Sequence, residues 1–146
     1  MIERVLGTWY LRLYESRYVD GQVRQPMGDN PHGVLTYTVD GRVSIHMTRH
    51  DREQFTSDDW MHGTDDEVRD AYETYIGYFG RFTLDADAGT VTHHIEGCSF
   101  QNWTGKDLTR YFSLTDNRLI LTTDLVLMGG GMRRGYLIWE RGNNVL

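Results

Sequence analysis

The chain predicts an all-β fold: an antiparallel barrel of about eight to ten strands, with one short α-helix near residues 65–76 covering an end or flank. Three observations carry this. Short runs of alternating apolar and polar residues recur from Trp9 to Arg141. Compact turn signals separate them: Asp40-Gly41, Asp85 to Gly89, Asp116-Asn117 and Gly129-Gly130-Gly131. Only one segment has helical spacing, and closing the sheet removes the bare edges that so many strands would otherwise leave.

In the first run, Trp9, Leu11 and Leu13 alternate with Tyr10, Arg12 and Tyr14, which predicts a strand with the first set inward. Residues 33–48 form a hairpin. A two-residue turn at Asp40-Gly41 would mix its faces. A three-residue loop, Val39-Asp40-Gly41 with Gly41 in the left-handed bulge position, instead gathers Leu35, Tyr37, Val39, Val43, Ile45 and Met47 on one side. Residues 49–63 are polar and read as loop. Thr64-Asp65-Asp66-Glu67 is a capping box, followed at helical spacing by Val68, Ala71, Tyr72, Tyr75 and Ile76, with Gly77 as a stop. Strands resume near 78–85, 90–97, 106–114, 118–124 and 133–141.

The 146 residues suit one domain, 1–146, large enough to need no disulfide or metal for stability. Nine Tyr, five Phe and four Trp suit strands and the lining of a concave site. The net charge of −6, with no basic stripe, argues against a nucleic-acid partner. The single Cys98 favours a reducing compartment. MIERVLGTWY has no signal-peptide pattern, and no apolar run approaches the ~20 residues of a membrane-spanning helix. A cytoplasmic protein, without membrane association, is expected.

Gly7-x-Trp9 opens the first strand and Trp139-Glu140-Arg141 closes the last. Between them lie DGQVRQPMGDNPHGVLTYTVDGRVS, YIGYFGRF and TVTHHIEGCSFQNWTGKDLTRYF. This ordered set resembles the lipocalin-like domain family of bacteria and fungi, over nearly the whole chain. Gln101 departs from the proline expected before Asn102-Trp103. The resemblance implies a barrel around an interior ligand cavity, an arginine covering the base tryptophan, and a link to secondary-metabolite pathways.

Phasing each strand from its apolar face nominates the site residues. Tyr78, Gly80, Phe82 and Leu84 share a face, and pairing across the next loop sets Val91, His93 and Ile95 beside them. His93 therefore points inward, as an acid/base group or as a structural histidine, and His94 points outward with Glu96. His94, Glu96 and Cys98 share a face but lack clear further ligands, so no metal is expected. Arg110 shares the apolar face of Leu108, Phe112 and Leu114. It meets a buried carboxylate such as Glu15, Glu96 or Glu140, binds a ligand oxygen, or packs over Trp9 in place of Arg141. Tyr37 offers a hydroxyl to a carbonyl or enolate. The expected catalytic set is His93, Arg110 and Tyr37; the expected binding set is Tyr78, Phe82, Trp103, Asn102, Met47, Leu35 and Trp139.

Two functions follow. One is a cofactor-independent cyclase or isomerase that folds an apolar polyketide- or terpenoid-like intermediate by proximity and orientation. The other is a non-catalytic carrier of an apolar small molecule. No cofactor is expected in either, and a homodimer is compatible with both.

Overall fold

The structure is a computed structural model and describes residues 1–142. It contains ten strands: β1 (Gly7–Tyr18), β2 (Val23–Arg24), β3 (His32–Tyr37), β4 (Arg42–Thr48), β5 (Tyr75–Asp85), β6 (Thr90–Cys98), β7 (Asp107–Leu114), β8 (Arg118–Thr123), β9 (Val126–Met128) and β10 (Gly131–Arg141). A one-turn helix, α1 (Ile2–Val5), precedes them, and α2 (Asp65–Glu73) lies between β4 and β5. Eight strands close an antiparallel barrel in the order β1-β3-β4-β5-β6-β7-β8-β10, with β10 pairing back onto β1. β2 and β9 are short additions at the ends of β1 and β10.

The hairpin has the loop that its apolar face demands. Tyr37 faces Val43 and Leu35 faces Ile45, while Thr38 N–H donates to the Arg42 carbonyl across Val39, Asp40 and Gly41. Gly41 takes a φ of 84°, the left-handed geometry of the bulge. Leu35, Tyr37, Val43, Ile45 and Met47 are buried, but Val39, at the loop tip, is exposed.

Two expectations need correction. The capping box forms, with Thr64 and Glu67 each bonding the other's backbone N–H, but α2 stops at Glu73. Tyr75 and Ile76 begin β5 opposite Thr48 and Met47. Their helical spacing yields to the ladder that β4 offers, a tertiary override of a local pattern. No residue of α2 is buried, so the apolar stripe expected to be covered leaves Val68 and Tyr72 exposed.

The second correction concerns β1. Leu11 faces Trp139 but Leu13 faces Ile138, so Arg12 is an extra residue in a β-bulge. The bulge inverts the phase of the rest of the strand. Tyr14 and Ser16, rather than Leu13, turn inward.

A second bulge lies between β5 and β6, where Phe79 faces Gly97 and Gly80 faces Ile95. A Cβ at Gly80 would stand 1.9 Å from the His94 carbonyl oxygen, a backbone atom that cannot turn aside. Gly80→Ala should therefore destabilise the barrel by about 3 kcal/mol, the upper end for overpacking, read as a lower urea midpoint at unchanged slope. A midpoint equal to that of the parent chain would show that the ladder is looser than this register implies.

The base is built around Trp9 and Trp139, both fully buried. Trp9 Nε1–H donates to the Val5 carbonyl at 2.9 Å, and the Arg141 guanidinium stacks 4.1 Å from the Trp9 ring centroid. Arg141 also donates to the Leu6 carbonyl at 2.9 Å and to the Arg4 carbonyl, which fastens α1 across this end.

Candidate functional site

From the base at Gly7, β1 runs towards a cavity of about 690 Å³ whose wall includes Tyr18 at the strand's far end. That volume lies within the range of small-molecule sites. Met27 and Pro26, Met128 of β9, and Tyr72 and Glu73 of α2 border it, while Ile45, Leu121 and Leu137 supply apolar wall. The exposed ring of Tyr72 places α2 at the mouth.

His93 is the most constrained polar group. It lies on β6 opposite Phe82 and is fully buried. The Tyr37 hydroxyl is 2.7 Å from its Nε2 and the Tyr78 hydroxyl 2.5 Å from its Nδ1. Burial, and then the positive charge of Arg110, push its pKa down from 6.5 to about 3. At neutral pH it is therefore an uncharged imidazole that donates from one nitrogen and accepts at the other. Tyr37 has His93 as its one side-chain partner among the described residues, and Tyr78 reaches the cavity wall. The tautomer that satisfies every donor has Tyr37 donating to Nε2 and Nδ1–H donating to the Tyr78 oxygen. The Tyr78 proton is then left to point into the cavity. Burial raises the pKa of both tyrosines, so both remain protonated donors.

Arg110 reaches the wall as its strand phase predicts. None of the three carboxylates considered for it is its partner. Glu15 pairs with Arg17, Glu96 with Arg42, and Glu140 with Arg12 and Arg118. Arg141, not Arg110, covers Trp9. His94 points outward and pairs with Asp107 at 2.8 Å.

Of the residues nominated from sequence, His93, Arg110, Tyr78, Trp103 and Met47 line the cavity. Tyr37, Phe82, Leu35 and Trp139 are inward but belong to the packed core, and Tyr37 meets the site only through His93. Asn102 lies exposed on the single 3₁₀ turn Gln101–Trp103, so its side chain is not part of the wall. Trp103 turns inward instead, edge-on to Tyr78 at 6.5 Å. Tyr14 and Arg133 were missed. The Arg12 bulge hides Tyr14 from a period-two reading, whereas Arg133 was legible by counting back in twos from Trp139 through Leu137 and Gly135.

The model of the lipocalin-like domain matches residues 6–142. A relative is the 4'-hydroxy-3'-methoxypropiophenone carrier protein of Aspergillus oryzae (strain ATCC 42149 / RIB 40). It is 30% identical over 106 residues, covering 68% of this chain and 96% of that protein. With the barrel, its Trp9–Arg141 closure and the family match in agreement, this chain belongs to the lipocalin-like domain family.

Proposed function

We propose that this protein is a carrier that binds a small, largely apolar molecule of secondary metabolism in the barrel and releases it unchanged. The observation that carries this reading is the state of His93. An acid/base catalyst at neutral pH needs a pKa near 7, and a histidine at about 3 is neither a charged acid nor an effective base. Both ring nitrogens are also occupied by tyrosine hydroxyls. The group nominated for proton transfer is better suited to holding Tyr78 in place.

The carrier relative adds weight to this choice and suggests an aryl ketone as the ligand class. Such a molecule suits a wall of Met, Ile, Leu, Tyr and Trp side chains with Tyr78 as a fixed hydroxyl donor to a ketone oxygen. The free thiol of Cys98 fits delivery in the reducing cytoplasm. The cyclase or isomerase reading rests on the Tyr78 and Arg110 pair, which could polarise a carbonyl without help from His93.

Calorimetric titration with 4'-hydroxy-3'-methoxypropiophenone, followed by chromatography of the recovered ligand, separates the two. One molecule bound per chain and recovered intact is the expected result. At a free concentration of 100 times Kd the fold should gain about 2.7 kcal/mol, seen as a rise in Tm. A new product formed at a rate that Tyr78→Phe abolishes would replace the carrier reading with the enzymatic one.

A further inference from the structure

The cavity wall carries two guanidinium groups inside and no carboxylate to match them. Four charged side chains reach it: Arg24 and Glu73, both exposed at the mouth, and Arg110 and Arg133, which are half-buried and buried respectively. Arg133 is only 5% exposed. Neither interior arginine has a carboxylate within 4 Å among the described residues, although the surface arginines Arg12, Arg17, Arg42, Arg49 and Arg69 all do. A chain with net charge −6 thus leaves its two innermost arginines without an anion. Burying a cation unpaired is among the costlier arrangements a fold can keep.

Both arginines line the cavity, as does Thr123. Arg110 of β7 stands opposite Thr123 of β8, and Thr123 Oγ1 accepts the N–H of Gly135 on β10 at 2.8 Å. A Cβ at Gly135 would stand 2.6 Å from Arg133 Nη1 and 3.1 Å from Thr123 Cγ2, so the missing side chain is what lets the Arg133 guanidinium fold back over that strand. Arg133 is held there by bonds that leave its charge unneutralised: Nη2 donates to the Tyr14 hydroxyl at 3.0 Å and Nε to the Met128 sulfur at 3.2 Å. Its five N–H donors exceed these two acceptors. Tyr14 accepts from Arg133 and so keeps its own proton to donate.

We propose that Arg110 and Arg133, flanking Thr123, form an anion-binding end of the cavity that selects ligands bearing an acidic oxygen over their neutral counterparts. The class is an apolar, ring-sized molecule carrying a carboxylate, enolate or phenolate. The two guanidiniums take the oxyanion, Tyr14 and Tyr78 add neutral donors, and the apolar wall takes the rest. This rests on the carrier reading and sharpens it.

The test uses three fluorescent or competing probes: neutral N-phenyl-1-naphthylamine, 2-naphthoate, and methyl 2-naphthoate, which matches the acid without its charge. At pH 7.5 the acid should displace the neutral probe at least about tenfold more tightly than the ester, the range for one or two charge-assisted bonds. Arg110→Met and Arg133→Met should each cut that ratio about tenfold while leaving N-phenyl-1-naphthylamine bound. Arg81→Met, on the outer face of β5, makes the same change in net charge and should leave the ratio alone. If Arg133→Met fails to fold, Arg110→Met alone decides, because Arg110 is the less buried of the two. An ester that binds as tightly as the acid, or a preference that Arg110→Met leaves undiminished, overturns the anion site and leaves the carrier reading intact. A barrel that takes none of the three probes overturns both.

Discussion

Between pH 7 and pH 5 this protein should lose about 2 kcal/mol of stability through His93 alone, approaching about 4 kcal/mol at pH 3. In the folded barrel His93 stays unprotonated down to about pH 3, whereas in the unfolded chain it takes up a proton near 6.5. Unfolding therefore binds a proton across that window. The stabilisation is complete above about pH 6.5 and drains away as pH falls towards 3. Urea titrations at half-unit pH intervals measure it, and His93→Gln supplies the reference. Glutamine keeps a donor and an acceptor for the two tyrosines but has no proton to gain, so its curve should be about 2 kcal/mol flatter from pH 7 to 5. Parallel curves for the two chains would mean that His93 is protonated inside the barrel. His93→Leu should cost a further amount of about 1–3 kcal/mol at neutral pH, because it strands the Tyr37 hydroxyl in the core.

The other large effect lies at the base. Trp9→Ala removes a fully buried indole, its bond to Val5 and the surface on which Arg141 stacks. About 3–5 kcal/mol should be lost, a third or more of what an ordinary domain has. Trp9→Phe should recover most of the volume but not the hydrogen bond. The cavity wall lies elsewhere on the strands, so the folded fraction of Trp9→Ala should bind N-phenyl-1-naphthylamine with the parent affinity. Reduced affinity at full folding would couple the base to the site in a way the packing does not suggest.

The contrast between Tyr14 and His93 shows what the sequence could and could not reveal. His93 was placed inward by an unbroken alternation along its strand and by a short loop that set its register on β5. Both are local properties. Tyr14 is inward because Arg12 is looped out against β10, more than a hundred residues away, and no pattern within β1 announces that bulge. Period-two reasoning also separates inside from outside but not core from cavity. Leu35, Phe82 and Trp139 were rightly expected inside, yet whether an inward side chain touches its neighbours or lines a space depends on the opposite wall. Helical spacing at Tyr75 and Ile76 competed with a strand partner that only the hairpin supplied. Arg133 follows the same alternation as Trp139, but the Gly129-Gly130-Gly131 run just before it is equally compatible with a loop.

The seam between β1 and β10 constrains the order in which this fold can be made. Leu6 and Arg141, joined by a hydrogen bond, are 135 residues apart in the chain. The other neighbouring pairs of barrel strands lie close in sequence, whereas this pair is separated by nearly the whole length of the barrel. During synthesis at about 5–20 residues per second, β1 waits several seconds with one edge unpaired and its apolar side chains uncovered. Closure of so distant a contact also belongs to the slow, millisecond-to-second class of folding events. The growing chain is therefore most prone to self-association before β10 emerges, and a permuted chain that joins β10 directly to β1 should shorten that exposure.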